Sequence, residues 1–396
     1  MRLCVLTFIA AAAAATTAAP RLSSAASRAA RAAPPFSPPR PPTSFPQTVV
    51  PLATPPLSIL NFSLPAEGIF DPSLLIDHGG AGATLAFSAV TATASIATRV
   101  AAWDSRAAAW RYLSSVNEAQ PPSMQPCAGG PCLASLIHEV PSLLHDPLDP
   151  SPLRRWKVFA HTYLVTGESD LHYDWGVISL FTAPAPQGPW AARPLLGWRG
   201  ASPLSTAGVA QVLTDTPALA DCLAFTEPGA TANGTSIALA LGCVSEGAGG
   251  PQIRVVLLSS GDHGGTWRYL GVAVDGADAG KLGFAVPELN AADLFFSPAG
   301  QLLLSVTPAA QLWPGFVGYC GCLVLAVLPD GSGVARGAEG APVVLRSVVP
   351  GGVAFAGACT AGAGGAPAGV GGYMLPTLYP GEAAPFRILE SGVPPG

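Results

Sequence analysis

Apolar residues along this chain come in short runs, many alternating with polar residues, and clusters of Gly, Pro, Asn, Asp and Ser separate the runs. A period of two predicts half-buried strands, and the separators predict tight turns. Ile253 to Leu258 and Tyr269 to Val274 are two such runs, joined by the Gly-rich connector Ser260 to Trp267. They read as a β-hairpin. A helical period is sustained nowhere for more than a few turns, with the stretch Ala101 to Tyr112 as the one candidate helix. A coarse repeat runs through the rest. A small motif with a proline or an acid leads into an apolar strand near Asp71, Glu139, Glu227, Glu288 and Val353, at steps of roughly 60–90 residues. Four strands with their turns occupy about that length, so five starts predict an all-β, five-bladed β-propeller of four-stranded antiparallel blades.

Composition agrees with many short strands: 45 glycines, 42 prolines, 49% hydrophobic and only 11% charged residues. The net charge is −5, and it is unevenly spread. All acidic residues lie beyond position 66, while Arg2, Arg21, Arg28, Arg31 and Arg40 lie before it. An acidic body argues against nucleic acid and anionic membranes as partners. Arg2, the apolar run Leu3 to Ile9 and the alanines to Ala15, followed by Thr17-Ala18-Ala19, predict a secretory signal over 1–19 and no membrane-spanning segment. Residues 20–57, rich in Arg, Ser, Ala and Pro, read as a linker or as the transit half of a bipartite plastid signal. The folded domain is placed at 58–396. Export favours disulfides among the seven remaining cysteines. Cys222 and Cys243 flank a hairpin and are paired on that ground; Cys127 and Cys132 enclose a Gly-Gly-Pro loop and can close it. One of Cys320, Cys322 and Cys359 is then left over. Asn61-Phe62-Ser63 and Asn233-Gly234-Thr235 are glycosylation sequons.

Ser260-Gly261-Asp262-His263-Gly264-Gly265-Thr266-Trp267 resembles the Asp-box, Ser-x-Asp-x-Gly-x-Thr-Trp, of sialidase-like and other β-propellers. There it is a structural turn remote from substrate. Asp71-Pro72-Ser73 before an apolar strand, the Ser179 to Pro184 strand running on to Gly188-Pro189-Trp190, and Glu227-Pro228-Gly229 resemble motifs of the five-bladed glycoside hydrolases of the arabinanase, xylosidase and invertase kind. The likeness spans roughly residues 60–390. It departs from that pattern at Val140-Pro141-Ser142, where an aspartate follows the proline in the family, and at Glu227-Pro228, where one residue usually intervenes.

The resemblance implies a carbohydrate substrate and a pair of carboxyl groups in a central pocket. Glycoside cleavage needs one carboxylate to activate water or attack, and one protonated carboxyl to release the leaving group. Asp71 is the expected base, Glu227 the expected acid, and Glu139 the residue that biases the acid or binds hydroxyls. Glu288 and Asp293 are rival acids. His161, Asp174 and Trp175 are candidate sugar-binding residues, since flat rings stack on sugar C–H faces. Each has a plainer reading: Asp71-Pro72 and Thr226-Glu227-Pro228-Gly229 as turns, Glu139 as a partner of Arg154 or Arg155, and the aromatics as packing between blades. A non-catalytic propeller that binds glycans or protein is the alternative. No cofactor is called for, and no cluster at zinc spacing calls for a metal. Gly-x-Ser-x-Gly, His-Glu-x-x-His and a phosphate loop are all absent, the Gly-rich run 362–372 lacking the lysine. A sialidase needs three converging arginines, and no motif fixes Arg99, Arg254 and Arg346 in that role. A secreted monomer is expected.

Overall fold

The computed structural model describes residues 47–51, 56–65, 67–76, 82–92, 95–167, 170–247, 250–313, 316–351, 355–361, 374–379 and 386–389. The expected signal, most of the expected linker and the 362–372 run lie outside them. The fold is an all-β propeller. Five strands line the ring: Gly68–Ile76, Gly130–His145 (with the short Ser123–Cys127 paired to its start), Cys222–Asn233, Leu289–Phe296 and Phe355–Ala361. Each touches the next, and the last touches the first, so they form a closed ring. In the first two blades the second strand is buried along most of its length, Ala83–Ala92 over its first eight residues and Trp156–Thr166 over all but its ends, because sheets stack on both of their faces. That is why these runs read as continuously apolar and small rather than strictly alternating.

Every innermost strand breaks its pairing at the same place. The register shifts after Phe70, Glu139, Thr226, Asn290 and Gly357, leaving two residues of each strand unpaired. The first residue of each unpaired couple is left-handed: Asp71 (φ 49°), Val140 (52°), Glu227 (52°), Ala291 (46°) and Ala358 (47°). These are β-bulges, which bend a strand and re-aim its side chains. Proline follows in the first three, where its missing N–H costs no ladder bond.

Hydrogen bonds between bulges lock neighbouring blades. Ser73 Oγ accepts from Leu143 N at 2.8 Å, Ser142 Oγ from Ala230 N at 2.7 Å and Thr360 Oγ1 from Leu74 N at 2.8 Å. The Asp293 carboxylate fills the same slot, accepting from the Ala361 amide and from Thr360 Oγ1 at 2.7 Å. Between the third and fourth blades the equivalent residue is Gly229. A Cβ there would lie 2.3 Å from Ala292 O, so the two backbones approach directly.

Four sheets carry four or more strands. The expectation of five four-stranded blades is corrected at the sheet that closes the ring: Phe355–Ala361, Met374–Tyr379 and Arg387–Ile388 make three strands among the described residues. At its outer edge Pro56 bridges Leu389 antiparallel, and Leu57 N donates to Ile388 O at 2.8 Å. Residues from the start of the domain therefore complete that edge before Ile59–Leu60 joins the first sheet. The candidate helix at 101–112 is also overturned. Ser95–Asp104 and Ala109–Ser115 are paired strands, with Ala101 opposite Tyr112. Helix propensity of alanine is a weak preference, and sheet pairing overrides it.

The cysteines form three bridges, Cys127–Cys132, Cys222–Cys243 and Cys322–Cys359, with Cys320 free and buried. The third joins the fourth sheet to the fifth. The Ser260–Trp267 connector is the hairpin turn expected of it. Asp262 Oδ1 accepts from Gly265 N and Thr266 N at 3.0 and 2.8 Å, and Ser260 Oγ from Gly264 N at 2.8 Å. Trp267 packs edge-on against Phe159 of the second blade. His263 Nδ1 reaches Asp146 Oδ2 at 2.9 Å, also across the blade junction. Beneath that contact Lys157, 1% exposed, bonds Asp149 Oδ2 at 2.6 Å, pairs with Asp146 at 3.2 Å and donates to Arg154 O.

Candidate functional site

The bulges determine what faces the ring axis. Asp71 and Glu227 hold the same left-handed position in the first and third blades, and Glu139 stands one residue before it in the second. Glu288 precedes the fourth innermost strand. All four are buried, at 4–7% exposure. They act on one another electrically. Burial raises Asp71 well above the ordinary carboxyl range, and the charges of Glu139 and Glu227 raise it further. Burial pushes Glu139 up to about 8, with a hydrogen bond from Tyr163 opposing and the charge of Glu227 adding. Burial pushes Glu227 up to about 7 against the bonds it accepts, and Glu288 reaches about 7 through burial and the charge of Glu227. Such a set gains and loses protons as a unit, and at neutral pH it holds fewer than four negative charges.

Three tyrosines hold the carboxyls. Tyr319 donates to Glu227 Oε1 at 3.0 Å, and Ala291 N donates to Oε2 at 2.6 Å. Tyr163 bonds Glu139, and Tyr173 bonds Tyr163. With one proton on each hydroxyl and the first given to the carboxylate, the chain runs Tyr173 to Tyr163 to Glu139. His161 lies directly across the strand pair from Glu139 and is tilted against Tyr163 and stacked on Tyr173, with ring centroids 4.9 and 5.6 Å apart. Burial lowers His161 to about 3, so the ring is neutral.

The residues proposed from sequence separate into groups. Asp71, Glu139, Glu227, Glu288 and His161 come together. Glu139 takes Tyr163 as its partner, while Arg154 bonds Asp149. Asp293 is an inter-blade latch, as described above. Trp175 stacks on His172 at 3.7 Å and packs with Cys127, Cys132, Ala134 and Leu164, on the blade face opposite to Glu139. Asp174 lies in the three-residue bulge between His172 and Gly176, and its carbonyl accepts from Trp198 Nε1 and Ser205 Oγ. Tyr163, Tyr173 and Tyr319 were not singled out as carboxyl partners, since a tyrosine inside an apolar strand looks like any other packing residue. Among the described residues one trio, Asp146, Asp149 and His263, has metal-ligating atoms within 4.8 Å of one another. The ammonium of Lys157 already supplies positive charge there. The Ser260–Trp267 turn is far from the carboxyls: Ser260 pairs with Ile237, which pairs with Ala232, and five strand residues from Ala232 to Glu227 span about 16 Å.

No family model and no curated protein matches this chain. Several solved structures are similar to it. The catalytic domain of a family 62 α-L-arabinofuranosidase from Coprinopsis cinerea covers 86% of this chain and 94% of its own, at 11% identity and a TM-score of 0.49. An α-L-arabinofuranosidase of Podospora anserina, in complex with cellotriose, covers 87% and 96% at 12% identity and 0.45. An arabinanase of Bacillus subtilis covers 83% and 94% at 12% identity and 0.44. These are likenesses of fold.

Proposed function

We propose that this chain is a carbohydrate-active propeller that hydrolyses a glycosidic bond with Asp71 and Glu227. The observation that carries the reading is the placement of two buried carboxyls on equivalent left-handed bulge positions, coupled to each other and to Glu139. In the reaction Asp71, in the charge state of the coupled set that leaves it ionised and Glu227 protonated, takes a proton from water, whose oxygen attacks the anomeric carbon. The bond from that carbon to the leaving oxygen breaks, and Glu227 gives its proton to that oxygen. A value near 7 suits a group that must hold a proton at neutral pH and release it in the transition state. Glu139 keeps the shared proton count high, and His161 offers an acceptor to a sugar hydroxyl. Glu288 is the rival acid.

One observation favours a non-catalytic glycan- or protein-binding propeller. The amide of each left-handed residue needs an acceptor, and Thr377, Ser88 and Thr307 supply hydroxyls to Asp71, Val140 and Ala358. Glu227 does this job for Ala291. Its carboxylate is thus also structural. A panel of chromogenic glycosides and oligosaccharides decides between the readings. Hydrolysis is expected from the native chain, with Asp71→Asn and Glu227→Gln each losing at least about 1000-fold in kcat while thermal unfolding stays cooperative. Full turnover in both variants refutes the catalytic assignment. Binding without turnover by the native chain leaves the alternative.

The disulfides support export, with 1–19 as a removed signal, 20–57 as a linker and the sequons at Asn61 and Asn233, both exposed, as glycan acceptors. The Ser260–Trp267 turn is read as an Asp-box. A monomer is expected.

A further inference from the structure

Acceptors predominate among the hydrogen-bonding groups of this site. His161 is 1% exposed, and its Nε2 has no partner among the described residues. The ring also bonds the backbone of Tyr173. The nitrogen free to do so is Nδ1, and a neutral ring with its proton there presents Nε2 as a bare acceptor. Directly across the strand pair stands Glu139, whose carboxylate keeps lone pairs beyond the one used by Tyr163. Asp71, Glu227 and Glu288 add further acceptors on the neighbouring blades.

The charge inventory is one-sided as well. The charges that perturb Asp71, Glu139 and Glu288 are carboxylates, and no cation figures among them. His138 and His161 are held neutral by burial, lowered to about 4 and about 3. A ligand with a carboxylate, sulfate or phosphate facing these groups would meet repulsion from those that are ionised and no cation among the charges that act on them. A ligand with an ammonium finds several partial negative charges and an imidazole acceptor.

We infer that the unit seated against Glu139 and His161 is a sugar bearing a protonated primary amine, a 2-amino-2-deoxy hexose with its nitrogen unacylated. This rests on the carbohydrate reading above and narrows it to one ligand class. An ammonium has three donors and no acceptor, which complements a pocket rich in acceptors. Its arrival also lowers the proton affinity of the carboxyl set, so binding releases protons in the neutral range.

Isothermal titration of the folded, disulfide-bonded protein at 0.15 M salt tests this. The probes are a glucosamine trimer, its N-acetylated twin, a neutral xylose trimer and a galacturonic acid trimer. The amine trimer is expected to bind at least ten-fold more tightly than its acetylated twin, with a heat that varies with the ionisation enthalpy of the buffer. Glu139→Gln should cut that preference at least five-fold, while Asp215→Asn, a change on an exposed surface pair, should leave it. Equal or tighter binding of the acetylated or neutral trimer overturns the inference and leaves the carbohydrate reading standing. Preference for the uronate overturns the inference too. Binding of none of the four, with no hydrolysis of the glycoside panel, overturns both.

Discussion

Replacing Lys157 by Met removes a buried ammonium and keeps its apolar stem. Lys157 is 1% exposed, bonded to Asp149 at 2.6 Å and paired with Asp146 at 3.2 Å, and both carboxyls are as buried as it is. Two buried carboxylates would lose their main counter-charge. Breaking a buried pair by removing one partner costs about 3–5 kcal/mol. The unfolding entropy of a domain of about 330 residues is about 0.7 kcal/mol per degree, so Tm should fall by about 4–7 °C. The acid dependence supplies a second readout. Burial pushes the Asp149 carboxyl up, but the bonds from Lys157, Ser151 and Arg154 outweigh it and hold the group below its ordinary range. A depressed carboxyl contributes stability above its unfolded value, and that share is lost as pH falls through the folded value. The gap between native protein and Lys157→Met should therefore close below about pH 4. Differential scanning calorimetry from pH 3 to 7 measures both effects. The triple change Asp146→Asn, Asp149→Asn, Lys157→Met should recover most of the loss, since no charge is then stranded. A drop under about 2 °C, or a triple variant no better than the single one, would refute the assignment of this cluster as a charge-balanced clamp.

Three further outcomes are expected. Thr360→Val strands Leu74 N and removes a donor from Asp293, each worth about 1–3 kcal/mol when buried; urea unfolding should show the loss, and an unchanged midpoint would contradict the latch. Glu139, raised to about 8 in the fold, favours folding below its unfolded value and loses that contribution as pH rises through 8; Glu139→Gln should be more stable than the native chain at pH 8 and level with it near pH 4, and the opposite trend in pH-dependent melting would exclude a buried, protonated group. Opening the Cys222–Cys243 bridge by a double Ser substitution should cost about 2–3 kcal/mol, because the loop it closes is short; free thiols at both positions in the native protein, detected by non-reducing peptide mapping, would count against the bridge and against export.

Much of the ring was legible because proline and acid mark its bulges. Asp71-Pro72, Val140-Pro141 and Glu227-Pro228 announce three of them, and each lies on an innermost strand. Ala291 and Ala358 occupy the same left-handed position with no residue that signals the bulge itself, so the motif around Pro287 and Glu288 and the repeat length point to those blades instead. The Cys222–Cys243 pairing was readable because hairpin geometry is local. The Cys322–Cys359 bridge joins different sheets, and sequence left its partners open. The carboxyls were readable as types, and their differences were not. Asp293 and Glu288 look alike as rival acids, yet one latches a blade and the other joins the coupled set. That distinction depends on which neighbour reaches across the ring, as does the tyrosine chain behind Glu139. Chemistry makes Trp175 a candidate for sugar stacking; the bulge between His172 and Gly176 carries it to the other face.

The bonds between the last sheet and the first innermost strand also set an order of events. Asp71 N is held by Thr377, 306 positions away in the chain, and Leu74 N by Thr360, 286 positions away. Contacts this distant form late in folding, after the loop entropy of the whole chain has been overcome. During synthesis the first innermost strand is complete long before Thr360, Thr377 and Leu389 leave the ribosome. Until they do, its bulge has no acceptor for its amide, and Asp71 is not yet fixed relative to Glu227. A chain cut short between Cys243 and the last sheet can still form hairpins and two of its disulfides, yet it cannot assemble the carboxyl set. Loss of the final residues therefore abolishes the site from the far end of the sequence, leaving folded but incompetent blades.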